Sequence, residues 1–305
     1  MSKPASVWEE GLFRLTVFNI PDVGRGVGLA VVMQTPGGRT YLYDTGNGYP
    51  EADGWWRDVN TGRDQIASFM QEHDIRALDG VIISHAHYDH FGGLIWLAEH
   101  IEIRNLIDSG YEYKGWSDEN YARELSHYAE VRDALRRRGV CYRAVCAGET
   151  LELDDALSVE VISPPRGFFH VEKVTPRSAQ NPAAHYMLNA NSLMLRIRHG
   201  AVVFLLPGDI EAEYQRTLLL PAVGSHKLKC DILVAPGHGL HSAPEFAEAA
   251  QPHVTIASCF VRWMEACTAR EVFGARGSQV YVTGLHGDVS AISDGESWEI
   301  CPSGC

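Results

Sequence analysis

The sequence predicts an α/β fold, and two observations support this prediction. Segments rich in apolar, β-branched and aromatic residues alternate with segments of helical periodicity in both halves of the chain. No stretch rich in Pro, Gly and Ser separates those halves, so the 305 residues are predicted to form a single domain. Strands and helices that alternate within one domain indicate sheets covered by helices.

The individual elements follow from local patterns: short apolar runs between Gly and Pro indicate strands, and apolar residues three or four positions apart indicate helices. Predicted strands lie at 12–20, 29–34, 41–43, 81–83, 157–162, 193–197, 202–206 and 231–235. Predicted helices lie at 63–73, 94–100, 117–138, 210–220 and 244–250, the third capped by Ser117 or Asp118. The segment 164–190 contains four prolines and is predicted to be an irregular insertion near a functional site.

Composition and charge exclude several classes of protein. The chain is 45% hydrophobic and 21% charged, as ordinary globular proteins are. A formal net charge of −13 disfavours tight non-specific binding of nucleic acid, which relies on clustered Lys and Arg. No secretory signal or membrane helix is recognisable, and the seven cysteines form no regular disulfide framework. We therefore expect a soluble, cytoplasmic protein with reduced thiols and no membrane partner.

The strongest chemical signal is the segment 85–93, which reads HAHYDHFGG. It follows the predicted strand 81–83, and its two glycines allow close approach of the backbone. Neutral imidazole and carboxylate groups suit zinc first, with manganese or iron as alternatives. The density of such groups predicts metal ligands at His85, His87, Asp89 and His90.

This segment resembles the HxHxDH signature of the metallo-β-lactamase superfamily, and three further segments resemble the family in order and spacing. LYDTG at 42–46 is similar to the strand and turn before the signature, LPGD at 206–209 to the segment with the later bridging Asp, and APGHG at 235–239 to the segment with the last His. The resemblance covers roughly residues 12–300. It implies a four-layered αβ/βα sandwich with the metal site at one edge, between the two sheets.

Within the superfamily, the chain resembles the soluble domain of competence-type DNA-uptake proteins and its stand-alone relatives. The segments that carry this likeness are DVGRG at 22–26, VISPP at 161–165, NS at 191–192 and SDG at 293–295. The chain departs from those relatives at Val27, where an acidic residue is usual, and at Gly237, where a His is usual. Neither departure removes an expected ligand.

The resemblance implies two divalent metal ions, most readily zinc, with manganese as the alternative. The ligands implied for one ion are His85, His87 and Asp209, and those for the other are Asp89, His90, His238 and the shared Asp209. Asp89 and Asp209 are the implied catalytic residues. Two such ions lower the pKa of a bridging water molecule and polarise the bond to be cleaved. Asp44 is implied to orient a ligand, and a purely structural role in the turn after its strand is an equal alternative.

The first metal site departs from the family pattern. Superfamily hydrolases often supply a third His from the segment before the bridging Asp, but this segment reads NANS at 189–192. We expect Asn191 or Asn189 to take that place as an oxygen ligand or water holder, with Asn191 preferred and His185 as the alternative. An incomplete first site would bind its metal less tightly. An enzyme that holds a single metal ion, or that exchanges its metal, is therefore an alternative.

The motifs and the resemblance support three alternative functions. The first is hydrolysis of a phosphodiester or related phosphoryl ester by a metal-activated hydroxide, because the similar proteins are associated with nucleic-acid degradation. The acidic net charge favours a small-molecule or nucleotide-like substrate over long DNA. The second is hydrolysis of a carboxylic ester, lactone or thioester. The third is a non-catalytic, metal-stabilised interaction protein.

Overall fold

The computed structural model describes residues 8–21, 27–50, 59–113, 119–170 and 183–304, and its strands, numbered in chain order, form two large sheets. The first sheet contains β1 (Phe13–Val17), β2 (Ala30–Gln34), β3 (Thr40–Thr45), β5 (Gly80–Ile82), β7 (Asn105–Asp108), β8 (Cys141–Ala144), β16 (Val289–Ser293) and β17 (Trp298–Pro302). The second contains β9 (Thr150–Leu151), β10 (Leu157–Ser163), β11 (Met194–His199), β12 (Val202–Leu206), β13 (Ile232–Val234), β14 (Val254–Ala257) and β15 (Gln279–Val282). β4 (Ala77–Leu78) and β6 (Glu102–Ile103) pair separately.

Each large sheet is antiparallel on one side and parallel on the other. The first sheet has the order β17-β16-β1-β2-β3-β5-β7-β8 and is parallel from β3 to β8. The second has the order β15-β14-β13-β12-β11-β10-β9 and is parallel from β12 to β15. The carboxyl ends of the parallel strands lie at one edge of each sheet, which is where open α/β sheets bind ligands.

Alternation along the strands builds separate cores on the two faces of each sheet. In β2, Val31 and Met33 pack into the core between the sheets, whereas Val32 packs on the outer face. In β12, Phe204 faces the shared core and Leu205 faces outward. Both faces are apolar because both are covered, as the period of two in a strand requires.

Helices cover the outer faces. The first sheet carries α1 (Ala67–Glu72), which continues a wide helical turn at Gly62–Ile66, α2 (Tyr88–His100) and α3 (Glu119–Arg137). The remaining helices are α4 (Ala183–Ala190), α5 (Ala212–Tyr214), α6 (Leu220–Val223), α7 (Ser225–Leu228), α8 (Pro244–Ala250), α9 (Ala269–Val272) and α10 (Thr283–His286). Residues of α5 to α9 pack on the second sheet, and α4 contributes to both outer cores. This arrangement of helix, sheet, sheet and helix confirms the predicted four-layered sandwich. None of the helices in the described ranges is long and apolar enough to cross a membrane.

An aromatic contact joins the two sheets in their shared core. The rings of Phe13 in β1 and Phe204 in β12 meet edge to face, with centroids 4.9 Å apart and an interplanar angle of 87°. Such a pair adds about 1 kcal/mol to the burial of its rings. The contact stabilises the packing of two sheets that each carry part of the functional site.

The structure differs from the sequence prediction in three ways. α2 begins at Tyr88 rather than near 94, so the metal motif itself enters the helix. The segment 164–190 is not irregular throughout, because α4 occupies its last eight residues. Strands β4, β6 to β9 and β14 to β17 were not predicted; β8 is mostly exposed and β17 only half-buried, so both lack a clear apolar signal. The predicted features at 22–26, at Ser117 and Asp118 and at 171–182 lie outside the described residues.

Candidate metal centre

The candidate site lies where the carboxyl ends of parallel strands from both sheets meet. Asp44 is the second-last residue of β3, and His85 lies three residues after the end of β5. Asp209 follows the end of β12 by three residues, and His238 follows the end of β13 by four. Because every one of these strands ends at the site, ligands distant in sequence are presented from rigid elements.

Backbone hydrogen bonds hold the loops of the site together. The N–H of Leu193, just before β11, donates to the carbonyl of Ser84 at 2.9 Å. The N–H of Gly237 donates to the carbonyl of Gly208 at 3.1 Å. The first bond joins the two sheets, and the second joins the loops that carry Asp209 and His238, so the positions of the ligands do not depend on their side chains alone.

Gly92 and Gly93 allow α2 to lie directly against the loop after β3. A Cβ atom on Gly92 would lie 2.1 Å from the amide nitrogen of Gly48, and one on Gly93 would lie 2.1 Å from the carbonyl oxygen of Thr45. No side chain fits at these distances, so the contact requires glycine at both positions. The start of α2, and with it His90, is thereby pressed against the strand that ends at the site.

Asp209 lies between two imidazole rings at the centre of the site. Its Oδ2 atom is 3.2 Å from Nε2 of His90 and 3.1 Å from Nε2 of His238. Oδ2 of Asp89 lies 3.9 Å from Nε2 of His90 and 3.7 Å from Nε2 of His238. Four side chains from residues 89 to 238 thus lie close together in the folded chain.

The possible ligand atoms fall into two groups, each spanning less than 4.8 Å. One group consists of His85, His90 and Asp209, and the other of Asp89, His90 and His238. The two groups share His90, whereas the sequence prediction shared Asp209 and assigned His90 to one ion only. His87 joins the site through His85, since its Nδ1 atom lies 2.9 Å from Nε2 of that residue.

Several buried polar atoms of the site fit a metal ion. Nε2 of His90, Oδ1 of Asp209 and both ring nitrogens of His238 are buried and lack a hydrogen-bond partner of normal geometry. A buried polar atom without a partner is costly, and ligation to a cation removes that cost. The nitrogen and carboxylate oxygen donors are those that zinc and similar divalent ions accept. The residues present therefore fit the predicted cofactor.

Asp44 holds the ligands from behind. It is fully buried at the end of β3, in a left-handed backbone conformation with φ of 58°. Its Oδ2 atom lies 2.8 Å from Nδ1 of His90 and accepts a hydrogen bond from the hydroxyl of Ser84 at 2.7 Å. That hydroxyl lies 2.9 Å from Nδ1 of His85. A carboxylate in this position fixes the orientation of an imidazole whose other nitrogen faces the metal.

The ionisation of the site suits cation binding. Burial, followed by repulsion from neighbouring imidazoles, lowers the pKa of His85 and of His87 well below the ordinary value, so both rings are neutral and can act as ligands. Burial opposes ionisation of Asp209, but the imidazoles of His238 and His90 outweigh it and hold its pKa well below the usual range. Burial likewise opposes protonation of His90, but the carboxylates around it raise its pKa well above the ordinary value. The carboxylates therefore favour positive charge at the centre.

Asn191, the preferred residue for completing the first metal site, is engaged elsewhere. Its Oδ1 atom accepts a hydrogen bond from the N–H of Phe169 at 2.7 Å, and its Nδ2 atom donates to the carbonyls of Phe169 and Met187. These bonds fasten α4 to the chain around Phe169. The structure thus places Asn191 as a support for the surrounding loop, because backbone groups that need partners occupy its amide. Asn189 is also buried, and its Nδ2 atom lies 3.4 Å from Nε2 of His185.

His185, the alternative to Asn191, lies against the site. Its ring stacks on that of His87, with centroids 4.9 Å apart and an interplanar angle of 21°. Its Nε2 atom lies 3.6 Å from Oε1 of Glu211, which is almost fully buried. Burial lowers the pKa of His185 to about 4. The structure therefore brings His185, and not Asn191, into contact with a predicted ligand.

Three residues of the site were not predicted from the sequence: Ser84, Ser192 and Glu211. Ser192 Oγ lies 3.4 Å from Nδ1 of His85 and accepts a hydrogen bond from the N–H of Asp209 at 3.1 Å. Ser84 stands next to the metal motif and Ser192 is the last residue of the NANS segment at 189–192, and these positions are the only sequence signal for them. Glu211 follows Asp209 by two positions, but a Glu near a helix start is too common to indicate a role.

The comparison with protein families agrees with this geometry. The model of the metallo-beta-lactamase superfamily matches residues 23–243, which include all the predicted ligands. The chain belongs to the metallo-beta-lactamase superfamily. Members of this superfamily bind divalent metal ions, and the described part of this chain contains clusters of His and Asp side chains that could hold such ions.

Two curated proteins are similar in sequence. ComE operon protein 3 of Bacillus subtilis (strain 168) is 27% identical over 245 residues, which cover 78% of this chain and 27% of that protein. The uncharacterized protein YcaI of Escherichia coli (strain K12) is 37% identical over 73 residues, which cover 24% of this chain and 8% of that protein. The matched part of the chain spans about a quarter of the length of the first relative and less than a tenth of the second.

Solved structures also resemble the chain. Tm1679, a metal-dependent hydrolase of the beta-lactamase superfamily, superposes with a TM-score of 0.48 at 15% identity, covering 88% of this chain and 95% of that one. Zinc-bound PqqB from Methylobacterium extorquens superposes with a TM-score of 0.49 at 12% identity, covering 88% and 97% of the two chains.

Proposed function

We propose that this protein is a metal-dependent hydrolase that cleaves a phosphodiester or related phosphoryl ester in a small-molecule or nucleotide-like substrate. The observation that carries the proposal is the position of Asp209 between His90 and His238, with Oδ2 3.2 and 3.1 Å from their Nε2 atoms. A carboxylate shared by an imidazole of α2 and one from the loop after β13 is an arrangement for holding cations. Zinc is the proposed ion, with manganese as the alternative.

The residues would divide the work as follows. His85, His87 and Asp209 would hold one ion. His185 stacks on His87, whereas the side chain of Asn191 bonds to Phe169, so His185 is the better placed of the two to complete that site. Asp89, His90 and His238, together with Asp209, would hold the second. Divalent ions bound at such a site activate a water molecule and polarise the ester to be cleaved. Asp44 and Ser84 orient the rings of His90 and His85 and keep their ligating nitrogens directed inward.

The metal ions of the loaded site would favour an anionic substrate. Asp44, Asp89 and Asp209 contact the imidazole cluster directly, and Glu211 lies 3.6 Å from His185. Two divalent cations would balance these four carboxylates, so the attraction for substrate would come from the ions themselves. A phosphoryl ester has negatively charged oxygens that such ions attract, whereas a carboxylic ester is neutral. The negative charge of the whole chain, −13, opposes long polyanions, and this supports a small substrate.

The ligand types support catalysis over a purely structural role. Structural zinc sites are usually closed by four Cys or His ligands, whereas catalytic sites retain a position for water or substrate. This site contains carboxylates, and the side chain of Asp89 is 26% exposed. The resemblance to the soluble domain of competence-type DNA-uptake proteins supports phosphoryl chemistry over acyl chemistry.

The proposal is tested with the full chain, stripped of metal and reloaded with zinc or manganese. Hydrolysis is measured with bis-p-nitrophenyl phosphate and with p-nitrophenyl acetate. We expect phosphodiesterase activity that falls at least ~100-fold in Asp209→Asn. Removing a residue that only orients a metal ligand costs about 10-fold to 100-fold in activity, and removing a ligand itself should cost more. Asp231→Asn is the matched control, because Asp231 accepts the N–H of Val203 at the other end of β13.

Each alternative outcome assigns a different function. Activity towards the acetate alone would replace the phosphoryl proposal with a carboxylic ester, lactone or thioester hydrolase. Stoichiometric metal binding without either activity would identify a metal-stabilised interaction protein. Equal loss of activity in Asp231→Asn and Asp209→Asn would remove the evidence that Asp209 acts through metal.

A further inference from the structure

A cavity of about 850 Å³ lies at the edge of the first sheet opposite the metal centre. It is lined by Gln34, the last residue of β2, and by Thr40, the first residue of β3. Asp44 lies four residues further along β3, which corresponds to ~13 Å of extended chain. The lining residues in the described part of the chain include no predicted metal ligand. The cavity is therefore separate from the metal centre.

Three polar side chains stand side by side at this cavity. Strand pairing places Arg14 opposite Gln34, and Gln34 opposite Thr40, so the three side chains project from the same face of the sheet. Their neighbours along the strands, such as Phe13 and Met33, pack into the core between the sheets, so this polar row lies on the outer face. Arg14, Gln34 and Thr40 are only 8%, 5% and 6% exposed. A buried row of this kind needs hydrogen-bond partners.

The protein does not supply all of those partners. Oε1 of Gln34 and Nη1 of Arg14 are both buried without a hydrogen-bond partner in the described part of the chain. The other donors of Arg14, Nε and Nη2, lie 3.4 and 3.2 Å from the neutral hydroxyl of Ser290. A buried guanidinium is usually paired with a carboxylate, yet the ion pairs of the described ranges do not include Arg14. Polar atoms left unpaired beside a cavity indicate a partner from outside the chain.

Two acidic residues of the cavity wall already have cationic partners. Asp79 accepts a hydrogen bond from Nη1 of Arg104 at 2.7 Å. Asp74 lies 3.3 Å from Nε of Arg76, and both of these side chains are highly exposed. Because these pairs compensate each other, the buried charge of Arg14 remains for a ligand to balance.

We propose that the cavity binds a small monocarboxylate, whose two oxygens are held by the amide of Gln34 and the hydroxyl of Thr40, with the positive charge of Arg14 behind them. An amide whose oxygen accepts from Arg14 presents its NH₂ group on the other side, as a donor to the ligand. The hydroxyl of Thr40 is the second donor, and two adjacent donors match the two oxygens of a carboxylate. The proposal is independent of the proposed hydrolase activity.

The charges around the cavity select a ligand with a single negative charge. Glu72 also lines the cavity, and Glu102 lies 3.3 Å from Arg104. Arg14 offsets one negative charge, whereas a phosphate or a dicarboxylate would bring a second one close to these acidic side chains. Like charges in such proximity oppose binding. A monocarboxylate is therefore favoured over a dianion.

Trp8 adds an aromatic wall and a local reporter of binding. It lines the cavity, and its Nε1 group donates to the carbonyl of Thr35 at 2.9 Å. Its ring packs against Gly38, where a Cβ atom would lie 3.3 Å from Cη2. A ligand with a short aliphatic chain beside its carboxylate can pack against this ring. Butyrate has both features and is a suitable probe.

The experiment titrates the full chain with sodium butyrate at constant ionic strength. Binding is measured by isothermal titration and by the emission of Trp8, taken as the difference from Trp8→Phe. We expect saturable binding of butyrate, with phosphate and succinate at least ~10-fold weaker. Zinc-loaded and metal-stripped protein should bind butyrate equally, because a carboxylate that coordinates the metal centre would lose its site when the metal is removed.

Replacement of Gln34 distinguishes a ligand site from a structural role. Gln34→Leu removes a buried polar group that lacks a partner, so the melting temperature of the ligand-free chain should stay unchanged or rise. Affinity for butyrate should nevertheless fall at least ~10-fold, and Arg14→Met should have a similar effect on affinity. Ser163→Ala is the matched control, because that hydroxyl is also buried without a partner but belongs to β10 of the second sheet. It should leave butyrate binding unchanged.

Four results would overturn the inference. Absence of saturable butyrate binding would show that water alone satisfies the polar row. Binding that disappears with the metal would place the carboxylate at the metal centre. Equal affinity for phosphate would reject the selection of a monocarboxylate. A lower melting temperature of Gln34→Leu with unchanged affinity would assign Gln34 to packing. Failure of the hydrolase proposal is read separately, from the activity assays.

Discussion

Asp44 contacts Nδ1 of His90 at 2.8 Å, and both side chains are completely excluded from solvent. The contact joins the end of β3 to the first turn of α2 and leaves Nε2 of His90 directed towards Asp209. A carboxylate behind a ligand both sets its orientation and increases its basicity. We therefore regard Asp44 as a positioning residue for the proposed metal centre.

Replacement of Asp44 tests this relationship. Asp44→Ala removes the partner of His90 and should lower zinc affinity by ~10-fold to ~100-fold. Affinity is measured by competition with a chelator on protein that remains folded by circular dichroism. The control is Asp108→Asn, because Asp108 is another buried carboxylate at a strand end but accepts hydrogen bonds from Tyr128 and Tyr142. An equal loss of affinity in both variants would count against a specific role for Asp44.

A second prediction separates Asn191 from His185. Asn191→Ala leaves the backbone groups of Phe169 without their buried partner and should lower the free energy of unfolding by about 2 kcal/mol. Its zinc affinity should stay within about twofold of the unmodified chain, because Asn191 contacts no predicted ligand in the hydrogen bonds described. His185→Ala should instead weaken zinc binding by ~10-fold. Isothermal titration and urea unfolding of both variants measure the two effects, and the reverse pattern would restore Asn191 as the ligand.

A third prediction concerns the close approach of α2 to the loop after β3. Gly92→Ala would place a methyl group 2.1 Å from the backbone nitrogen of Gly48, and backbone on both sides prevents relief. We expect a loss of about 3 kcal/mol in the free energy of unfolding, measured by urea denaturation. Gly139→Ala is the control, because a methyl group there would meet nothing within 4 Å, although Gly139, unlike Gly92, has a positive φ of 89°. It should cost only about 1 kcal/mol, and equal costs would show that the contact at Gly92 is easily relieved.

A fourth prediction concerns the dependence of stability on pH. His199, at the end of β11, lies with Nδ1 3.1 Å from Ser293 Oγ, and burial lowers its pKa below the ordinary value. The unfolded chain therefore takes up a proton near pH ~6.5 that the folded chain binds only at lower pH, so acid favours unfolding. In His199→Asn, the decline in the free energy of unfolding below pH ~6.5 should be shallower. Urea unfolding at several pH values measures both slopes, and identical slopes would show that His199 does not contribute.

Local patterns in the sequence were sufficient for the motif ligands and the general architecture. His85, His87, Asp89 and His90 lie within six positions after a short apolar strand, so their proximity required no knowledge of distant contacts. Apolar runs likewise revealed most central strands, since a strand covered on both faces carries a continuous apolar signal. The edge strands β8 and β17 were missed because solvent contact weakens that signal, whereas β7, β14 and β16 were missed although they are largely buried.

The sequence did not predict where a polar side chain points when several hydrogen-bond partners compete for it. Asn191 stands where a ligand was expected, yet the N–H of Phe169, more than twenty residues away, takes its amide oxygen. Ser84 and Ser192 meet at His85 only because β5 and β11 are joined across the two sheets. These contacts depend on which polar groups become buried when the chain folds and therefore need a protein partner. A local sequence pattern does not contain that information.

By itself, the sequence determined the chemical types available to this protein: imidazoles and carboxylates in a compact motif, apolar strands for two covered sheets, and glycines where backbones must touch. Only the tertiary structure decided which of those groups meet. It brought Asp209 and His238 to His90 and engaged Asn191 with the backbone of Phe169. The physical reason is that composition and periodicity act over a few residues, whereas a site is formed by strand ends that packing brings together from distant parts of the chain.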